Sequence, residues 1–347
     1  MAMSTHLRRL LGFIVIAIVV VSLGACGDTI SMLKARQAFQ TANGSYGSKE
    51  YIRAIEEYEK VLELDPNGDR RVLLPTTFYI GSSHHLIFTA SRLDAASRKM
   101  RVDNAIEYYE KTIDLVNEGG EFQDQLEIYS QYAAEQLAAI YRDNEEDFVN
   151  AEKYCLMLIE LEPDKAERYY ALGDIYKRFN DPDEMPLVEK AIECYAKPVE
   201  MMPDDPIVYR QMAGLHNEYG HFDDTMDWLG RARDLNTNDP EGYYLIATHY
   251  WDKVYRDPDL SIQERENYIQ SGIDELDEAL GFNDQYVDAL IYKNLLLREN
   301  AKIEEIRGNK RKADELISEA NTLRDRALEL KKEQEAEAAA ESTVGGH

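Results

Sequence analysis

The feature that most constrains this chain is a small residue followed four positions later by a large one, a pairing that recurs along its length. It appears as Ala54 and Tyr58 in YIRAIEEYEKVLELDP (51–66), Ala105 and Tyr109 in NAIEYYEKTIDL (104–115), and Ala151 and Cys155 in FVNAEKYCLMLIELEP (148–163). It returns as Ala191 and Tyr195 in EKAIECYAKPVEMMP (189–203), and as Thr225 and Leu229 in FDDTMDWLGRARDLNTNDP (222–240). Residues one turn apart on the same side form an apolar stripe of helical period. Pro66, Pro163 and Pro203 each stand twelve residues after the small position, where they stop the helix. Five such segments, each with a face to bury, predict an all-α chain built from packed helix pairs.

A second helix type precedes most of these segments. YYALGDIY (169–176), YRQMAGLH (209–216) and YYLIATHY (243–250) each carry an aromatic residue, then an apolar one at plus three, Gly or Ala at plus four, and an aromatic or His at plus seven. Glycine within a helix costs about 1 kcal/mol against alanine, so Gly173, with Ala213 and Ala247 at the matching positions, points to close helix packing. Tyr209 and Tyr243 are 34 residues apart, as are Pro206 and Pro240.

These residues resemble the tetratricopeptide repeat (TPR) family, whose pattern is W-x2-L-G-x2-Y, then A, then F, A and P. Tyr169, Leu172, Gly173 and Tyr176 match its first helix, and Ala191, Tyr195 and Pro203 its second. The repeat from Pro206 matches through Tyr209, Met212, Ala213 and His216, then Thr225, Leu229 and Ala232. The resemblance implies a right-handed superhelical solenoid of about six or seven helical hairpins over 31–308, strongest over 148–250. The small positions 54, 105, 151, 191, 225 and 272 are spaced 51, 46, 40, 34 and 47, which predicts insertions between helices, at 180–186 and 256–266 among others. From Ala313 the apolar residues Leu316, Ala320, Leu323, Ala327 and Leu330 follow a three-four spacing. This predicts a charged capping helix over 309–332, with 333–347 as a disordered tail.

The N-terminus has a different character. Arg8 and Arg9 precede a 15-residue apolar core, Leu10 to Gly24, which is signal-peptide shaped and short of the roughly 20 residues of a membrane span. Leu23, Gly24 and Ala25 before Cys26 resemble the lipobox of bacterial lipoproteins. That resemblance implies cleavage after residue 25, acyl chains on Cys26 and a short linker over 26–30. Gly27 rather than Asp follows the cysteine, which under the sorting rule that comes with the lipobox leans toward the outer membrane, facing the periplasm.

The formal net charge is −27, and loss of Arg8 and Arg9 with the signal makes it −29. A nucleic-acid binder needs the opposite sign, and such acidity repels anionic lipid, so membrane attachment would come from the acyl chains alone. Cys155 and Cys194 fall on helical stretches at core-like positions, where two buried free thiols or a bridge are both open. Catalytic patterns are missing: no HExxH, GxSxG, phosphate-binding loop or dinucleotide glycine motif occurs. His84 and His85 are adjacent and so point to different sides of a helix, and Asp234, Asn236 and Asn238 start a calcium-loop pattern that Asp239 and Leu245 break. The chain is therefore expected to be no enzyme and to need no cofactor or metal.

What remains is a surface. Carried over from the TPR family, the positions facing the concave groove are Tyr170, Asp174 and Lys177, then Arg210, Gly214 and Asn217, then Tyr244, Thr248 and Trp251. Tyr and Trp bury large area at low entropy cost and keep a polar handle, which suits partner recognition, although Tyr170 and Tyr244 could equally pack between hairpins. Asp174 and Gly214 break the clamp by which chaperone-binding relatives hold a terminal carboxylate. The expectation is a non-enzymatic, lipid-anchored scaffold that binds protein partners in the cell envelope. The alternative is a periplasmic binder of a small ligand or glycan, or an accessory subunit of an envelope enzyme.

Overall fold

A computed structural model of the protein describes residues 29–119, 123–181, 183 and 186–344. The segment read as a signal peptide, with Leu23, Gly24, Ala25 and Cys26 of the lipobox resemblance, lies outside the described residues. Those described carry fourteen helices: α1 (29–47), α2 (Tyr51–Leu64), α3 (Arg70–Ala90), α4 (Ala95–Asn117), α5 (Gln123–Asp143), α6 (Phe148–Leu161), α7 (Ala166–Arg178), α8 (Val188–Met201), α9 (Pro206–Glu218), α10 (Phe222–Asp234), α11 (Pro240–Arg256), α12 (Ile262–Phe282), α13 (Val287–Ile306) and α14 (Lys310–Val344). None of them is long and apolar enough to cross a membrane.

The chain divides into two compact units, one ending at Ala191 and the other starting at Ile192. Within the first, α2 packs on α3, α3 on α4, α4 on α5, α5 on α6 and α6 on α7. Within the second, α9 packs on α10, α10 on α11, α11 on α12, α12 on α13 and α13 on α14. First helices of successive pairs also meet directly, α3 with α5 and α11 with α13.

The recurring stripe is what each pair buries. Ala54, Ala105, Ala151, Ala191 and Thr225 are fully buried, and so, or nearly so, are Tyr58, Tyr109, Cys155, Tyr195 and Leu229. In the α9/α10 hairpin the matched positions Met212, Ala213, His216, Thr225, Leu229 and Ala232 all face inward. Gly272, the sixth small position, is buried, and a Cβ there would lie 3.2 Å from Tyr250 Cβ and 2.7 Å from Leu296 Cδ1. A small residue is thus needed where α12 passes between α11 and α13. Cys155 and Cys194 are both buried, and neither is in a disulfide.

Helix starts are set by short polar side chains that accept a backbone N–H, worth about 1 kcal/mol each. Asp69, Asp94, Asp147, Asp205 and Asp239 do this at α3, α4, α6, α9 and α11, and Ser261 with Glu264 forms a reciprocal capping box at α12. Pro206 and Pro240 occupy first helical positions, where no N–H is needed.

Two expectations need correction. The long spacings do not come mainly from insertions between helices: α3, α4, α5 and α12 have 21, 23, 21 and 21 residues against 13 in α9 and α10. At 256–266, α11 runs to Arg256 and α12 begins at Ile262, so the extra residues lengthen the helices. Added helical turns satisfy their own backbone groups, whereas a long loop must find partners for them. The C-terminal run does not end its helix at Lys332 either, since α14 continues to Val344. Glu and Ala dominate there, both good helix formers. The three-four stripe packs on α13: Ala320 joins Leu296, Leu297 and Ile303, while Ala327 and Leu330 join Leu290.

Candidate functional site

The second unit presents a run of aromatic rings on α11 and α13. Tyr244, Thr248 and Trp251 recur every four and three residues, which puts them on one face of α11. Tyr244 meets Tyr286, the residue capping the N-terminus of α13, with ring centroids 5.3 Å apart, and meets Tyr292 edge-on at 5.4 Å. Trp251 lies edge-on to Tyr292 at 5.5 Å and flat against Tyr255 at 5.0 Å. Tyr244, Trp251, Tyr286 and Tyr292 are half-buried on the core of this unit, while Tyr255 is 64% exposed. The Tyr244 ring bridges two hairpins and stays partly accessible.

The rim of this face is acidic. Burial, reinforced by Tyr292 and Asp288, pushes the Tyr244 hydroxyl up to about 12, and burial with Asp288, Glu241 and Asp239 does the same for Tyr286. Both phenols therefore stay protonated donors. Arg210 is committed locally, 3.5 Å from both Asp239 and Glu241, so it ties α9 to the start of α11. The Thr248 hydroxyl donates to the Leu245 carbonyl at 2.7 Å. Asn217 is exposed and lines a separate cleft of about 310 Å3 with His249, Asp252 and Arg256.

The remaining expected positions belong to the first unit, on α7. Tyr170, Asp174 and Lys177 are half-buried there, and Lys177 lies 3.6 Å from Asp174. Thus Tyr244, Thr248 and Trp251 share one surface with Arg210 at its edge, Asn217 sits in the neighbouring cleft, and the α7 residues form their own set. Tyr255, Tyr286 and Tyr292 had no repeat position to flag them. The over-use of tyrosine, 23 in the chain, was the only signal.

The histidine pair of α3 is core. His84 stacks on Tyr108 and His85 on Phe88, with burial lowering both pKa values. Among the described residues, one group brings three candidate metal donors together: His216, His221 and Asp224.

No family model matches the chain and no curated protein matches it. Among solved structures, the C-terminal part of a TPR repeat-containing protein from Cytophaga hutchinsonii is 17% identical with a TM-score of 0.47, over 84% of this chain and 98% of that one. A tetratricopeptide repeat protein from Parabacteroides merdae is 12% identical with a TM-score of 0.43, over 86% of this chain and 98% of that one. YrrB, described as a TPR protein with an unusual peptide-binding site, is 16% identical with a TM-score of 0.35, over 66% of this chain and all of that one.

Proposed function

We propose that the chain is a lipid-anchored scaffold of the bacterial cell envelope that holds a protein partner on the aromatic face of α11 and α13. The observation that carries this reading is the continuous set Tyr244, Trp251, Tyr255, Tyr286 and Tyr292, rooted in a packed core yet open at Tyr255. Rings held by their neighbours lose little entropy on binding, the property that makes Tyr and Trp dominate interfaces. Asp288 and Glu241 at the rim, with the net charge of −27, favour a partner segment that carries apolar anchors and Lys or Arg. Acyl chains on Cys26 would supply the membrane attachment that so acidic a surface opposes.

Two measurements test the reading. A photo-crosslinking residue at Tyr255 should capture one envelope protein in cells, and the same residue at exposed Arg311 on α14 should not. Capture of an oligosaccharide, or the same products from both positions, would overturn it. For the anchor, Cys26→Ser should move the protein from the membrane to the soluble fraction and remove the acyl mass from its N-terminal peptide.

A further inference from the structure

The turn between α9 and α10 gathers two imidazoles and a carboxylate. His216 stands in the last turn of α9, His221 caps the N-terminus of α10, and Asp224 lies in the first turn of α10. Their donor atoms all lie within 4.8 Å of one another, and His216 Nδ1 is 3.5 Å from Asp224 Oδ2. Tetrahedral zinc bound at about 2.0–2.1 Å spaces its ligand atoms about 3.3 Å apart. The pair on the two helices already stands close to that spacing, and the His221 donor atom lies within 4.8 Å of both.

The backbone holds the group in place. Gly220, at φ 74°, reverses the chain in a conformation that a side chain would strain. The His221 N–H then donates to the His216 carbonyl at 2.9 Å, so the two histidines are tied through their main chains. The His221 carbonyl in turn accepts from the Thr225 N–H at 3.0 Å and the Thr225 hydroxyl at 2.9 Å. The imidazole of His221 makes no capping bond, which leaves its nitrogens for another purpose.

His216 supplies the independent observation. Its side chain is nine-tenths buried, its ring stacks on Trp228, and its buried Nδ1 has no hydrogen-bond partner. Leaving a buried polar atom unpaired costs about 1–3 kcal/mol, and a cation held by His216 Nδ1, the Asp224 carboxylate and the second imidazole would remove that cost. We infer that His216, His221 and Asp224 form a binding site for one divalent transition-metal ion of the zinc type, with a coordination position left open. Imidazole binds a metal ion through the lone pair of its neutral ring. Two imidazoles favour Zn2+, Co2+, Ni2+ or Cu2+ over Mg2+ and Ca2+, which take oxygen ligands. His221 and Asp224 also line a cleft of about 430 Å3 with Lys253 and Tyr268, through which water or a donor group of a bound molecule reaches the open position. None of the three ligands belongs to the aromatic face, so the site stands or falls apart from the docking reading.

The test titrates the full chain with Zn2+ in the presence of excess Mg2+, which occupies the general acidic surface. The wild-type protein should bind one equivalent, and His221→Ala and Asp224→Ala should each weaken binding at least tenfold. Both positions are exposed, so the variants keep the fold, which their thermal midpoints in chelator check. Co2+ should give the visible absorption of a tetrahedral site in the wild type and lose it in both variants. Equal Zn2+ affinity in the variants, loss in only one of them, or no binding beyond that of Mg2+ would each overturn the assignment.

Discussion

The Trp251 indole meets the Tyr292 ring at 84° across α11 and α13, while its flat side lies against Tyr255 at 10°. One contact knits two hairpins together and the other extends the surface outward, so the two tyrosines should separate stability from binding. Tyr255→Ala should weaken partner capture about 5- to 30-fold, roughly 1–2 kcal/mol, and change stability by less than about 0.5 kcal/mol. Tyr292→Ala removes a ring that Tyr244 and Trp251 both touch and should cost about 2–4 kcal/mol of folding stability. Denaturant melts beside crosslinking yields distinguish the outcomes. Intact capture by Tyr255→Ala would remove this face from the interface.

His84 gives the fold an acid sensitivity. An Arg101 N–H donates to its Nδ1 at 3.1 Å, and because guanidinium has no lone pair, that nitrogen must be bare and the ring neutral with its proton on Nε2. Burial first, and the Arg101 charge second, bring its pKa down to about 4 from the usual 6.5. Between those values the unfolded chain binds a proton that the native chain refuses, so stability is complete above pH 6.5 and declines as pH falls toward 4. The loss should reach up to roughly 3 kcal/mol from this residue. Urea midpoints from about pH 7 to about pH 5, above the main carboxylate range, should fall in the wild type and fall less in His84→Leu. Parallel profiles would show that His84 is protonated in the native state.

Gly272 tests how closely α12 passes its neighbours. Alanine would gain about 1 kcal/mol of helix propensity, but its Cβ meets Tyr250 Cβ, a fixed atom, and the flexible end of Leu296. The two effects nearly cancel, so Gly272→Ala should change stability by less than about 1 kcal/mol. Gly272→Val adds two methyl groups with nowhere to go and should cost about 1–3 kcal/mol from overpacking. Thermal melts of the pair decide it, and a neutral valine variant would mean that the passage is looser than these distances imply.

How far the sequence could be read follows from which interactions are local. Ala54 with Tyr58, or Thr225 with Leu229, announces its helix and its buried face because both members sit one turn apart. The length of α3 or α12 was hidden, since added turns repeat the same periodicity that elsewhere ends at a proline. Tyr286 and Tyr292 were hidden because α13 buries two stripes, Leu290, Asn294, Leu297 and Ala301 along one and Ala289, Leu296 and Ile303 along the other, so no single face stands out. His216, His221 and Asp224 become neighbours only when Gly220 turns the chain, and no local spacing rule encodes that reversal. Trp251 and Tyr244 were found through their repeat positions, but their partners on α13 required the packed structure.

The C-terminal helix should matter most through the stripe from Ala313 to Leu330. Ala313, Ala320, Ala327 and Leu330 are buried, with Ala320 fully enclosed in the core cluster that also holds Leu296 and Ile303. Ala320→Asp places a carboxylate among these aliphatic side chains with no cation in the cluster to meet it. The group must then stay charged at a high desolvation cost or take up a proton at neutral pH, and either course should cost several kcal/mol. Leu330 is the last buried residue of the stripe, and Lys331 through Ala336 are exposed. Ending the chain after Lys332 therefore removes helix that rests on nothing in that stretch and should leave the thermal midpoint within a degree or two. The two changes are compared by calorimetry on otherwise identical chains. Equal destabilisation by both would place a stabilising contact beyond Lys332, and indifference to Ala320→Asp would show that α14 does not close the last hairpin.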